Sequence, residues 1–150
     1  MIRMSRTLAF KILMGVVLIS LAGSVLIRGV HNLAMTRKAV TSYARLIVAG
    51  NVGDLAMVRS LCSSRYLETH PLEVAQEGGV VGFPRQIHPN YQVWVEGADV
   101  WLCSGNRMGQ VVRFVSEAGA WKYDGLAGML RGDGRVEPMG GEADPSREKP

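Results

Sequence analysis

The chain reads as an α+β protein: an N-terminal transmembrane helix, then a small domain in which helices pack on a curved antiparallel sheet. Three observations lead there. A sixteen-residue uncharged run lies near the N-terminus, the apolar spacing is helical between residues 36 and 66, and it changes to strand alternation after Asn90. Helices followed by a run of strands is the α+β order rather than the alternating order of parallel sheets.

Charge locates the first element. The 150 residues carry 17 bases and 13 acids, a net charge of +4. Residues 1–30 hold Arg3, Arg6, Lys11 and Arg28 and no acid; residues 31–130 hold nine bases against eight acids, and residues 131–150 four against five. The basicity thus sits on the N-terminus and not on the folded part, which argues against nucleic acid as a partner, since phosphate contacts need bases on the folded surface. A hydrophobic fraction of 47% with 20% charged residues excludes global disorder.

Ile12–Ile27 contains no charge. At about 1.5 Å per residue it spans roughly 24 Å, and counting from Leu8, with Lys11 snorkelling to the headgroups, brings the span to roughly 30 Å, one hydrocarbon core. A basic flank before an apolar run is the layout of a signal anchor or a signal peptide. The uncleaved single span over residues 8–27 is the reading taken, with the lipid bilayer as its partner. A secreted form cleaved after Ala22, where Ser20 and Ala22 satisfy the small-residue rule, and a buried soluble helix are the alternatives. Basic residues on both sides (Arg3, Arg6 and Lys11 before, Arg28, Arg37 and Lys38 after) favour an inside N-terminus narrowly, and hence an extracytoplasmic domain.

From Thr36, Val40, Tyr43, Ala44, Ile47 and Val48 form an apolar stripe that predicts a helix near residues 36–50. Gly50 to Asp54 ends it and caps a second helix near residues 54–66, with Leu55, Val58 and Cys62 on one face and Leu61 alongside. Leu72 to Glu77 reads as a short third helix between Pro71 and Gly78-Gly79, and Pro84 and Pro89 make loop. Strands are predicted at 91–96, 99–104, 110–116 and 120–124, joined by turns at Gly97-Ala98, Gly105–Gly109 and Glu117–Gly119. Residues 131–150, rich in Gly, Pro and mixed charge, read as a disordered tail. The expected organisation is therefore an anchor over 1–30, a domain over 31–130 and a tail over 131–150.

This order resembles the nuclear-transport-factor-two-like superfamily. The residues that carry the resemblance are Ala49-Gly50-Asn51 ending the first helix, Gly53-Asp54 opening the second, Ser64-Arg65-Tyr66-Leu67 closing it, and the closing strand Gly119–Leu126. Together they cover roughly residues 36–130. The resemblance implies a cone-shaped domain, and many small members of the superfamily sit behind a signal or an anchor. The stretch between helices and sheet is short, so the resemblance implies a cone that lacks an early strand or hairpin of the family.

Chemistry is sparsely written. No catalytic residue is assigned: Glu96 and Asp99 flank a hairpin turn and Asp124 precedes Gly125 at an expected strand end, where carboxylates ordinarily meet water. His31, His70 and His88 are scattered and pair with neither Cys62 nor Cys103 at metal-ligand spacing, so no metal and no cofactor is expected. Cys62 and Cys103 are either two buried thiols or, in an exported domain, one disulfide. Tyr43, Trp94, Trp101, Phe114, Trp121 and Tyr123 either fill the core or line a pocket for a small apolar ligand. The function expected is a membrane-tethered, non-enzymatic binding or interaction module, with a protein partner or a homodimer formed through the sheet. An isomerase- or cyclase-like enzyme or carrier, and a structural subunit of a membrane complex, are the alternatives.

Overall fold

The computed structural model describes residues 6–86, 89–105 and 109–138; of the first helix, the side chains of residues 6–13, 15–19, 21, 22 and 25 lie outside that description. The chain divides into two compact units, residues 1–34 and 35–150. Helix α1 spans Arg6–Val52, so the helix expected from Thr36 has no start there: no Pro, Gly pair or cap interrupts the backbone. Among the described residues, no helix is long and apolar enough to cross a membrane. The transmembrane helix expected over residues 8–27 falls mostly on side chains outside the description, although the backbone there is helical.

In the second unit, the C-terminal part of α1 lies on a curled antiparallel half-barrel of five strands in the order β1-β2-β3-β4-β5. The strands are β1 (Tyr91–Glu96), β2 (Asp99–Ser104), β3 (Gly109–Glu117), β4 (Ala120–Leu130) and β5 (Val136–Glu137). The first two match the expected bounds, and β4 runs six residues past the expected end at Asp124. β5 lies inside the stretch read as disordered. It forms because Arg131–Gly134 makes a turn, Gly134 donating to the Arg131 carbonyl at 2.9 Å, that returns the chain alongside Met129 and Leu130. Residues 139–150, the rest of the expected tail, lie outside the described residues.

The buried stripe of α1 is Ala39, Tyr43, Leu46, Ile47 and Ala49. It is rotated from the stripe expected through Val40, Ala44 and Val48. Val48 is 64% exposed, because the sheet meets the helix on the Leu46 side. The expected helix over 54–66 is two: α2 (Leu55–Leu61), capped by the Asp54 side chain on the Met57 amide, and α3 (Ser64–Thr69), capped by Ser63 on the Tyr66 amide. The chain breaks between them because Cys62 and Ser63 pair instead with β4, the Ser63 amide donating to the Tyr123 carbonyl at 2.8 Å. Leu72–Glu77 is not helical. Gly78 and Gly79 take positive φ and fold the segment back, bridging Val74 to Val80 and bonding the Ala75 amide to the Gly79 carbonyl.

The sheet carries apolar clusters on both faces. Val100, Leu102, Val112, Phe114, Trp121 and Tyr123 join Tyr43, Leu46, Val58 and Tyr66 in the main core. Cys103, Val111 and Leu130 form a second cluster on which Trp94, Trp101, Ala127 and Val136 pack. Cys62 belongs to the first cluster and Cys103 to the second, and both are free thiols. The disulfide weighed for Cys62 and Cys103 is therefore not formed. They occupy separate cores, and burial pushes both thiols up, Cys62 to about 12 despite the charge of Lys122 nearby.

Candidate functional site

β4 carries two irregularities opposite β3, where Val111 faces Gly128, Val112 faces Leu126 and Phe114 faces Tyr123. One extra residue of β4 is accommodated in each interval, and the second interval sets Arg113 against both Asp124 and Gly125. Gly125 adopts φ +94, and a side chain there would meet the Tyr66 ring at 3.2 Å. Tyr123, Asp124 and Gly125 are consequently buried in succession, which a regular strand with one solvated face does not do.

Asp124 is the centre of the arrangement. Its side chain is 2% exposed. The Ser63 hydroxyl donates to Oδ1 at 2.5 Å, and Arg65 donates through Nε to Oδ1 at 3.1 Å and through Nη2 to Oδ2 at 2.5 Å. Arg113 donates to Oδ2 at 2.5 Å, and Arg65 Nη2 also reaches the Asp124 carbonyl at 3.1 Å. Burial pushes the carboxyl up, but the hydrogen bonds from Arg65 and Ser63 and the charges of Arg113 and Arg65 outweigh it and hold Asp124 below its ordinary range. The expectation that Asp124 is a solvated turn residue is therefore overturned: the Gly125 bulge lets the strand continue and turns the acid into a protein-filled environment. Glu96 and Asp99 do flank the β1–β2 turn, and Asp99 is close enough for its charge to act on Arg65. Beside this network, Glu117 accepts from the Ser64 amide and hydroxyl at 3.1 and 2.6 Å, and these two bonds lower its carboxyl. Lys122 donates to the Ser60 carbonyl.

Next to Asp124 opens a cleft of about 470 Å³, lined by Arg65, Tyr66, Thr69, His70, Gly82, Tyr123, Asp124, Gly125 and Leu126. A neighbouring cavity of about 270 Å³ is lined by Tyr43, Phe83, Gln110 and Val112 and shares Gly82, Tyr123 and Leu126 with the cleft. The wall between core and cleft is aromatic. Tyr66 stacks on His70 at 4.4 Å and meets Tyr123 edge-on at 5.0 Å; Phe114 links Tyr123 to Tyr43 at 5.9 and 5.7 Å. Burial raises the phenols of Tyr66, Tyr123 and Tyr43, the last to about 12, so all three keep their protons across the physiological range.

Of the six aromatics expected at a pocket, only Tyr43 and Tyr123 line one of these cavities. Phe114 and Trp121 are core. Trp94 and Trp101 pair with each other at 6.1 Å over the second cluster, on the opposite face of β2 from Val100 and Leu102. Sequence reasoning missed Ser63, Arg65, Tyr66, His70 and Arg113. A readable signal was present at one place: within Trp121–Leu130, Gly125 is an isolated glycine inside a strand run, which marks a bulge rather than an end. His88 lies outside the described residues, and among those described no cluster of His, Cys, Asp and Glu could hold a metal ion. Compared with protein-family models, with curated proteins and with solved structures, the chain matches none.

Proposed function

We infer that this chain is a membrane-tethered, non-enzymatic binding module whose folded domain lies outside the cytoplasm. The observation that carries the binding reading is the occupancy of Asp124. A general base needs a free lone pair within reach of its substrate and an affinity for protons near the working pH. Both Asp124 oxygens are taken by Ser63, Arg65 and Arg113, and the carboxyl is held low. What remains is a cleft with an aromatic wall and charged rim, within the size range of small-molecule sites. The tether rests on the uncharged run Ile12–Ile27 with bases on either side. The resemblance to the nuclear-transport-factor-two-like superfamily supports reading the curled sheet and its helices as that family's cone. The sheet face bearing Trp94 and Trp101 is the surface for a protein partner or a second copy.

The experiment is fractionation of cells that express the full chain. It stays with membranes through carbonate extraction, and protease added to intact spheroplasts removes the domain. A full-length chain found in the soluble fraction overturns the tether, and a protected domain reverses the orientation. One observation favours the isomerase-like alternative: Asp124 does line an aromatic cleft beside Tyr66 and Tyr123. That reading requires the ion pair to open, and turnover of a cyclic ketone that Asp124→Asn abolishes would establish it.

A further inference from the structure

The hydrogen-bond inventory of the cleft is unbalanced. Its carboxylate and hydroxyl acceptors at Asp124 and Thr69 are spent. Asp124 is saturated, and Thr69 Oγ1 is engaged with the carbonyls of Arg65 and Tyr66 and with His70 Nδ1 at 2.8 Å. Its donors are not. Among the described residues Arg65 spends Nε and Nη2 on Asp124, while Nη1 makes no bond, and the side chain is 64% exposed. The hydroxyls of Tyr66 and Tyr123 have no hydrogen-bond partner among the described residues. Among the described residues the sealed-off unpaired side-chain atoms are Trp101 Nε1 and Arg113 Nε, so each phenol oxygen keeps some accessible surface. Burial keeps both phenols protonated, as donors.

The charges agree with the donors. Asp124 is shared by Arg113 and Arg65, so its single charge does not neutralise both guanidiniums. Asp99, at the β1–β2 turn, is the other acid whose charge Arg65 feels. The remaining lining is mixed: Thr69 and His70 are polar, whereas Leu126, at 45% exposure, and the rings of Tyr66 and Tyr123 are apolar. A site with unspent donors around a single free guanidinium edge, beside an apolar wall, is complementary to one acceptor group on an apolar body.

We propose that this cleft binds an apolar carboxylate, its acid group on Arg65 Nη1 and the tyrosine hydroxyls and its ring or chain against Tyr66, Tyr123 and Leu126. The inference deepens the binding reading and rests on it. Carboxylate is the fitting anion because one guanidinium nitrogen is free. A dianionic phosphate would draw on a cluster of cations, and Arg113 is already committed to Asp124.

The test uses the full chain in lipid nanodiscs, with empty discs as reference, titrated calorimetrically with 2-naphthoate and with 2-naphthalenemethanol, its neutral counterpart. Naphthoate is expected to saturate at one per chain and to bind at least about tenfold more tightly than the alcohol, the usual yield of a charge-assisted hydrogen bond. Arg65→Gln is expected to bring naphthoate down to the level of the alcohol. Leu126→Trp, at a half-exposed position, fills the cleft and is expected to abolish binding of both while the circular dichroism stays unchanged. Should Arg65→Gln fail to fold, the acid-to-alcohol ratio of the unaltered chain and the Leu126 variant still decide. Equal affinity for acid and alcohol, no binding of either, or binding indifferent to Leu126→Trp overturns the proposal. Absence of binding leaves the tether standing, whereas naphthoate bound and chemically transformed overturns the non-enzymatic reading and leaves the carboxylate site intact.

Discussion

An aspartate 2% exposed can stay ionised only if its surroundings replace the water it has lost, and Ser63, Arg65 and Arg113 do so for Asp124 with five hydrogen bonds, four of them to its carboxylate. Replacing it with Asn leaves two guanidiniums facing a neutral amide. We expect Asp124→Asn to cost about 3 kcal/mol, near the low end for one-sided loss of a buried pair because Arg65 is largely exposed. Urea unfolding of the two proteins measures it. The pH dependence follows from the lowered carboxyl. A carboxyl lowered in the folded state stabilises above its unfolded value of about 4, and that contribution is lost as pH falls through the folded value. The unaltered protein is thus expected to lose stability progressively below about pH 4, and Asp124→Asn to flatten that part of the curve. At the alkaline end the sign reverses in origin. The raised phenols of Tyr43, Tyr66 and Tyr123 stabilise below their unfolded value of about 10 and cease to do so as pH rises past it. Phenolate absorbance is therefore expected to show three of the four tyrosines ionising at higher pH than a free phenol.

Among elements, β4 decides the site, and Gly125 decides β4. Ala at this position would have to hold φ +94 and displace the Tyr66 ring, so Gly125→Ala is expected to cost roughly 1–3 kcal/mol. A loss confined to the bulge also raises amide exchange in α3, whose Tyr66 and Ser63 lean on it. An unchanged unfolding midpoint would show that the bulge is not under this constraint. The hairpin β1–β2 was legible to the residue because Gly97-Ala98 punctuates two alternating runs. α1 was legible in kind but not in rotation, since an apolar stripe two residues wide leaves open which edge meets the sheet. The site was illegible for a different reason. Ser63 and Arg65 lie about 60 positions from Asp124, as |i−j| values of 61 and 59 show, and nothing in local pattern says which distant charge a strand aspartate will meet. Local spacing also made α2 and α3 look continuous, because the break comes from Cys62 and Ser63 pairing with Tyr123, a tertiary contact.

Across the whole domain, two cores on opposite faces of one sheet keep the two thiols apart, and burial keeps them unreactive. The native protein is expected to resist iodoacetamide, to yield two modified cysteines once unfolded in urea, and to unfold at the same urea concentration with and without reductant. A midpoint lowered by reductant would mean that a disulfide contributes. Ser63 is one of the groups through which the helical and sheet parts meet. The Ser63 hydroxyl accepts from the Tyr66 amide at 3.1 Å to begin α3 and donates its only proton to Asp124 at 2.5 Å. At a helix start, aspartate ordinarily serves as well as serine. Here it would set a second carboxylate against the first with no proton to share at neutral pH. Descendants of this sequence can therefore exchange Ser63 for Thr, but an acid at 63 becomes tolerable only after position 124 has surrendered its own, so the order in which those two changes can be accumulated is prescribed by a single hydrogen atom.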